Sequence, residues 1–378
     1  MGLIINTLKN YQYRHLNVRL IVWVAALTVL GINVIASATD SSSFEQRQVL
    51  GMTLGIFVML IMGIVSYKFV LRFYWLFYTI NLALLIWVKL AGASRKGATR
   101  WITFGGFQLQ PSEFTKIFLI IFFAMFLYKY KDKINTLPVL AGTVILFLIP
   151  LLLVLKQPDL STSIVITLIF CTILFSAGLS YKIIGGVFAV AIPVAIVLVY
   201  LIMQPNQKIL EKYQYNRIIG FYDENNEVAA RISYQQNNSI MAIGSGGLWG
   251  KGLNNNTTTS VKNGNYISEP QTDFIFCIVG EELGFVGTTG VIVLLALIVL
   301  ESILVGIHAA DMAGALLCYG FAALVAFQSF INICVVTKMI PNTGLPLPFV
   351  SYGLSSLLSL YMGVGIVLNV SLQRKKIM

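Results

Sequence analysis

EPQTDFIFCIVGEELG, Glu269 to Gly284, sets Asp273, Glu281 and Glu282 where a polar segment runs into a long apolar one. The whole chain has only 15 acidic residues. Carboxylates are costly in lipid, so acids at such a boundary mark a functional site by default, with protein or water around them. On this stretch alone an ordinary structural explanation stands beside that one. Thr272-Asp273 is good N-cap chemistry for the helix that follows. The rest of the chain has to decide.

Of the 378 residues, 57% are hydrophobic and 11% are charged, and the mean hydropathy is +0.82. A soluble domain averages about 25% charged residues. The composition is that of an all-α polytopic membrane protein. A net charge of +11 raises the question of nucleic acid. The charges sit in short clusters between apolar runs, the pattern of topology signals, which argues against it. Cys171, Cys277, Cys318 and Cys334 lie in apolar runs without metal-type spacing and read as small packing residues. His15 and His308 are the only histidines, so a histidine triad or zinc site is nearly excluded. Lys9, Arg14 and Arg19 precede an apolar run that ends at Ala36-Ser37-Ala38, which resembles a signal peptide. The run Leu20 to Ile35 exceeds a signal core of about 7–15 residues, so it reads as an uncleaved first span.

A bilayer is crossed by roughly 20 apolar residues. That gives about ten spans, at 19–38, 48–66, 73–92, 112–128, 136–156, 161–179, 183–203, 278–306, 313–337 and 353–372. An even count puts both termini on one side. With that side cytoplasmic, the inner segments hold Lys9, Arg14, Arg19, Lys68, Arg72, Lys129, Lys131, Lys133, Lys182, Arg374, Lys375 and Lys376. The short outer loops hold only Arg47, Arg95, Lys96, Arg100, Lys156 and Lys338. The excess favours N-in and C-in. The polar chemistry then gathers outside, in the loop 93–112, the turn 157–160, the large loop 204–272 between the seventh and eighth spans, and the loop 338–352. The chain shows no internal repeat and no inverted repeat of the transporter kind.

Four further stretches stand out. In RWITFGGFQLQPSEFTK, Arg100 to Lys116, Gly105-Gly106 makes a turn, and Trp101, Phe104 and Phe107 suit an interface. Glu113 and Lys116 share a helix face at i,i+3. A surface ion pair would be the ordinary explanation, but Lys116 sits at the edge of an apolar span. In KQPDLST, Lys156 to Thr162, Asp159 alone reads as a turn residue and N-cap. YQQNNSIMAIGSGGLWGKG, Tyr234 to Gly252, is either a flexible loop or a backbone able to approach phosphate, with Lys251 adding charge. It is not a P-loop, because Ser245 and Gly252 break that pattern. Arg217 to Asp223, and on to Arg231, looks amphipathic and suits the membrane surface; Asn254 to Gly264 reads as a connector. PNTGLPLPFVSYGLSS, Pro341 to Ser356, is rigid non-helical backbone, which at membrane depth must be buried or line a cavity. Upstream, Gln328 and Asn332 share a face at i,i+4 and suit helix packing.

Taken together, five strings resemble the SEDS family, the RodA, FtsW and SpoVE group of bacterial cell-wall proteins. They are RWITFGGFQLQPSEFTK, QPDL (Gln157 to Leu160), AIGSGGLWGKG (Ala242 to Gly252), TDFIFCIVGEELG (Thr272 to Gly284) and PNTGLPLPFVSYG (Pro341 to Gly353), in the family's order. The short N-terminal tail is more similar to the RodA branch. The chain departs from the pattern at Ser161 and Leu354, where the family usually has Gly, and before Asp273, where its Pro-Glu-x-His-Thr is here Glu269-Pro-Gln-Thr.

The resemblance implies a peptidoglycan glycosyltransferase that polymerises lipid II on the outer face of the cytoplasmic membrane during cell-wall elongation. A sugar hydroxyl attacks an anomeric carbon and undecaprenyl pyrophosphate leaves, which needs a general base and positive charge. By resemblance Asp273 is the catalytic base. Glu113, Lys116 and Asp159 match motif charges of a central cavity; by charge alone, Arg100 and Lys116 are cations for the pyrophosphate, and Lys251 adds charge for substrate. Glu113 and Asp159 stay open as alternative bases. A divalent cation could share the pyrophosphate, though no ligand cluster points to one. The implied partner is a class B penicillin-binding protein, a transpeptidase. Two rivals remain: a lipid II flippase, with charges on both faces, and a non-enzymatic scaffold of the elongation complex.

Overall fold

The computed structural model describes residues 11–39, 42–95, 98–104, 107–157, 159–202, 204, 215, 218, 221, 227–254, 266–267 and 269–374. Gly105-Gly106 falls outside these. So do all of Arg217 to Asp223 but Ile218 and Phe221, and all of Asn254 to Gly264 but Asn254.

The helices are α1 (Val18–Ala38), α2 (Ser42–Ile64), α3 (Tyr67–Arg72), α4 (Tyr74–Ala91), α5 (Pro111–Lys129), α6 (Leu137–Leu155), α7 (Leu160–Ser176), α8 (Tyr181–Ile202), α9 (Glu227–Ser245), α10 (Ile275–Ile307), α11 (Met312–Val336) and α12 (Leu354–Leu372). Among the described residues, nine are long and apolar enough to cross a membrane, and α7, at 17 residues, falls just short. Helices dominate because lipid offers backbone groups no partner, so each segment must satisfy its own. Side-chain caps close several ends: Asn17 accepts from Leu20 N, Asp159 from Thr162 N and Asp311 from Gly314 N.

Helices α5, α11 and α12 are the most buried and form the centre. Small residues set the closest crossings, as at Gly55 against the Tyr361 ring and Gly365 against the Met59 carbonyl. Two features of the loops were not expected. A small antiparallel sheet, β1 (Ala93–Arg95), β2 (Ala98–Phe104) and β3 (Phe107–Leu109), follows α4. Within the loop 204–272, Tyr234 to Ser245 belongs to helix α9.

The two ends of the bundle differ. At one end, Glu301 binds Asn17 Nδ2 at 2.7 Å with Arg19 at 3.6 Å, and Tyr67 donates to Asp311 at 2.9 Å. Burial and the Asp311 carboxylate push the Tyr67 hydroxyl well above its usual range. The other end carries the described residues of the stretches Arg100 to Lys116, Gln157 to Leu160, Ala242 to Gly252, Thr272 to Gly284 and Pro341 to Gly353.

Candidate functional site

The site begins at the first turn of α5, where Pro111 occupies a position that needs no backbone donor. Glu113 and Lys116 follow one turn apart on the inward face. Lys116 Nζ lies 2.9 Å from both Glu113 oxygens and donates to Gln328 Oε1 at 2.7 Å. Lys116 is 1% exposed and Glu113 3%, so this is an interior pair, not a surface one. Gln328 in turn donates to Pro346 O at 2.9 Å, and Asn332, one turn on, donates to Leu345 O at 2.7 Å and Asp273 O at 2.8 Å. The shared face of Gln328 and Asn332 thus holds the proline-rich loop, beyond any packing of helix on helix.

A second cluster joins β2 to the starts of α5 and α7. The Arg100 guanidinium lies 3.8 Å from Asp159 and its Nε donates to Gln157 O at 3.0 Å. Gln110 and Ser112 each lie 3.4 Å from Asp159 Oδ2. Asp159 is therefore both the cap of α7 and the acceptor for an arginine and two polar side chains. Ser161, where the family usually has Gly, donates to Thr343 O and ties α7 to the proline-rich loop.

The organising stretch is a broken helix. Gly284 takes φ 66 and ψ −160 inside α10, a conformation open to glycine alone at little cost. The turn Gly246 to Gly252 fills the break. Gly247 O accepts from Phe285 N at 2.8 Å and Leu248 O from Val286 N at 3.2 Å, while Lys251 N and Gly252 N each donate at 2.9 Å to Glu281 O and Glu282 O. A Cβ on Gly246 or Gly250 would run into the α10 backbone. The close approach these glycines permit is to a helix of the same chain. Lys251 Nζ pairs with Glu281 at 2.8 Å, and Ser37 of α1 donates to Glu282.

Asp273 sits in the turn just before α10 and is partly exposed. The N-cap of α10 is Phe274, with no side-chain cap. Asp273 lies one residue before that N-cap position. Its neighbour Gln271 accepts from Tyr352 N at 2.9 Å, a second tie to the proline-rich loop.

Of the six residues singled out from sequence, the structure pairs Glu113 with Lys116 and Arg100 with Asp159, and links Asp273 to the first pair through Asn332 and Gln328. It sets Lys251 on Glu281. Sequence reasoning missed Gln110, Ser112 and Gln157 as members of the site, and read Gln328 and Asn332 as packing. Their signal was present as polar side chains beside charged motif residues. Among the described residues, no group of three or more His, Cys, Asp or Glu is placed to hold a metal ion.

Fold and site define an integral membrane protein, a helical bundle with buried ion pairs gathered at one end. The family described as "Cell cycle protein", of FtsW, RodA and SpoVE, matches residues 13–376. The chain belongs to that family, and its place is the cytoplasmic membrane. It is 34% identical over 379 residues to the probable peptidoglycan glycosyltransferase FtsW of Trichlorobacter lovleyi, covering 96% of this chain and 95% of the relative. It is 32% identical to the peptidoglycan glycosyltransferase MrdB of Escherichia coli K12, with 96% and 95% covered. A solved structure described as "Structural coordination of polymerization and crosslinking by a peptidoglycan synthase complex" superposes with a TM-score of 0.77 at 26% identity, over 94% of this chain and 97% of that one.

Proposed function

We propose that this chain is a peptidoglycan glycosyltransferase that polymerises lipid II into glycan strands on the outer face of the cytoplasmic membrane during elongation. The relatives named as peptidoglycan glycosyltransferases over nearly the full chain support the reaction class. The observation that carries the site is the tie of Asp273 through Asn332, one turn from Gln328, which holds the buried Lys116.

In this reading Asp273 is the general base. It is partly exposed, so an incoming sugar hydroxyl can reach it, and a fixed backbone carbonyl places it. Lys116 is enclosed by Glu113 and Gln328 and acts by holding them. Arg100 and Lys251, with side chains 20% and 19% exposed, are cations that a pyrophosphate can reach. Each has a buried carboxylate behind it, Asp159 or Glu281, which fixes its position without covering it. Both cations would stabilise charge developing on the leaving undecaprenyl pyrophosphate. A class B penicillin-binding protein would cross-link the product.

The test uses purified protein, with and without the class B partner, and labelled lipid II, run as product ladders beside Asp273→Asn. Ladders from the parent and none from a folded mutant are expected. Ladders from both would remove Asp273 as base and turn attention to Glu113 and Asp159. No ladder from the parent, even with its partner, would favour a flippase or a scaffold.

A further inference from the structure

Leu248 and Trp249 stand at the tip of the glycine turn with 64% and 79% of their surface exposed. Such exposure is unusual for large apolar side chains on a built turn. The tip is not a loose loop, because Gly247 O and Leu248 O accept from Phe285 N and Val286 N on one side. On the other side Lys251 N and Gly252 N donate to α10. The backbone thus holds two large apolar side chains outward.

Beneath the tip, α10 exposes Phe285, Ile292, Val293, Leu300, Leu304 and Ile307 along one face. In a membrane-spanning helix such a stripe faces acyl chains. From Phe285 to Ile307 it runs about 33 Å at 1.5 Å per residue, close to the thickness of a bilayer's hydrocarbon core, about 30 Å. Phe285 then lies at one edge of that core. The hydrogen bonds from Phe285 and Val286 put Leu248 and Trp249 beside it, in the zone that tryptophan prefers.

We propose that Leu248 and Trp249 form a bilayer anchor, a rigid tip that enters the glycerol and upper acyl zone of the membrane beside the break in α10. The occupant of this patch is phospholipid. The anchor ties the glycine turn, and with it the segment Ile275 to Leu283, to the level of the membrane surface. It is independent of the reaction proposed above.

Trp249 reports its own surroundings by fluorescence. The chain has five tryptophans, so Trp23, Trp75, Trp87 and Trp101 are replaced by Phe and the protein is placed in nanodiscs. The nanodisc lipids carry bromine at a shallow or a deep acyl position. The shallow label is expected to quench at least twofold more than the deep one, with aqueous iodide quenching little. Iodide quenching as strong as for a free tryptophan amide would put the tip in water and overturn the anchor. Protection from all three quenchers would mean that protein covers it, a second copy included, and would overturn it equally. If the fourfold variant does not fold, the difference between the parent chain and Trp249→Phe gives the same readout.

Discussion

Asn332 Nδ2 lies 2.8 Å from Asp273 O and 2.7 Å from Leu345 O, so one buried amide clamps the proposed base to the proline-rich loop. Replacing it with Leu leaves two carbonyls without that donor, a cost of about 1–3 kcal/mol for each group left unsatisfied. Asn332→Leu is expected to lower glycan synthesis more than tenfold and to lower the melting temperature in detergent. Asn332→Gln keeps the donor on a longer arm and is expected to fall between. Full activity in Asn332→Leu would show that Asp273 is held by other means.

The Glu113–Lys116 pair is closed from solvent at 2.9 Å. Removing one partner of such a pair strands a charge and costs about 3–5 kcal/mol, whereas removing both is often close to neutral. Lys116→Met and Glu113→Gln are each expected to unfold at markedly lower temperature than the parent, measured by thermal challenge and size-exclusion chromatography. The double variant is expected to regain most of the stability but not the activity, because Gln328 loses the ammonium that fixes it. Two losses that simply add would argue that the pair contributes nothing as a unit.

These ties also show where the sequence was readable. The membrane helices were legible because a run of apolar residues has one outcome in lipid. Glu113 and Lys116 were legible because helix geometry puts i and i+3 on one face. Gln328 to Pro346 and Arg100 to Gln157 O were not, since a contact between distant segments leaves no periodic trace. The glycine turn was misleading for a physical reason. Gly permits a close approach without saying to what, and here the partner is the α10 backbone. The interior placement of Glu281 and Glu282 was likewise hidden, because Lys251 and Ser37, which reach them, come from elsewhere in the chain.

Gly284 gives a prediction with a built-in control. At φ 66, a side chain is strained by about 1–3 kcal/mol, and a Cβ would also meet Gly250 N and Leu248 O. Gly284→Ala is expected to lower the melting temperature and to open the turn, read as faster proteolysis between Gly246 and Gly252. Gly290 lies six residues along the same helix with nothing within 4 Å of an added Cβ. Gly290→Ala is expected to be neutral or stabilising by about 0.5–1 kcal/mol. Equal effects at the two glycines would mean that the break has no structural role.

Arg100 separates binding from stability. Its Nε donates to Gln157 O at 3.0 Å while the guanidinium faces Asp159 at 3.8 Å, a two-pronged arrangement that a lysine ammonium cannot reproduce. Arg100→Lys keeps the charge and loses the fork, so it is expected to raise KM for lipid II severalfold with little change in melting temperature. Asp159→Asn retains N-cap chemistry, since asparagine caps about as well as aspartate, but removes the charge that orients Arg100. If Asp159 acts through Arg100, the double variant is expected to be no worse than Arg100→Lys alone. Losses that multiply would give Asp159 a separate contact with substrate, and would return it to consideration as a base.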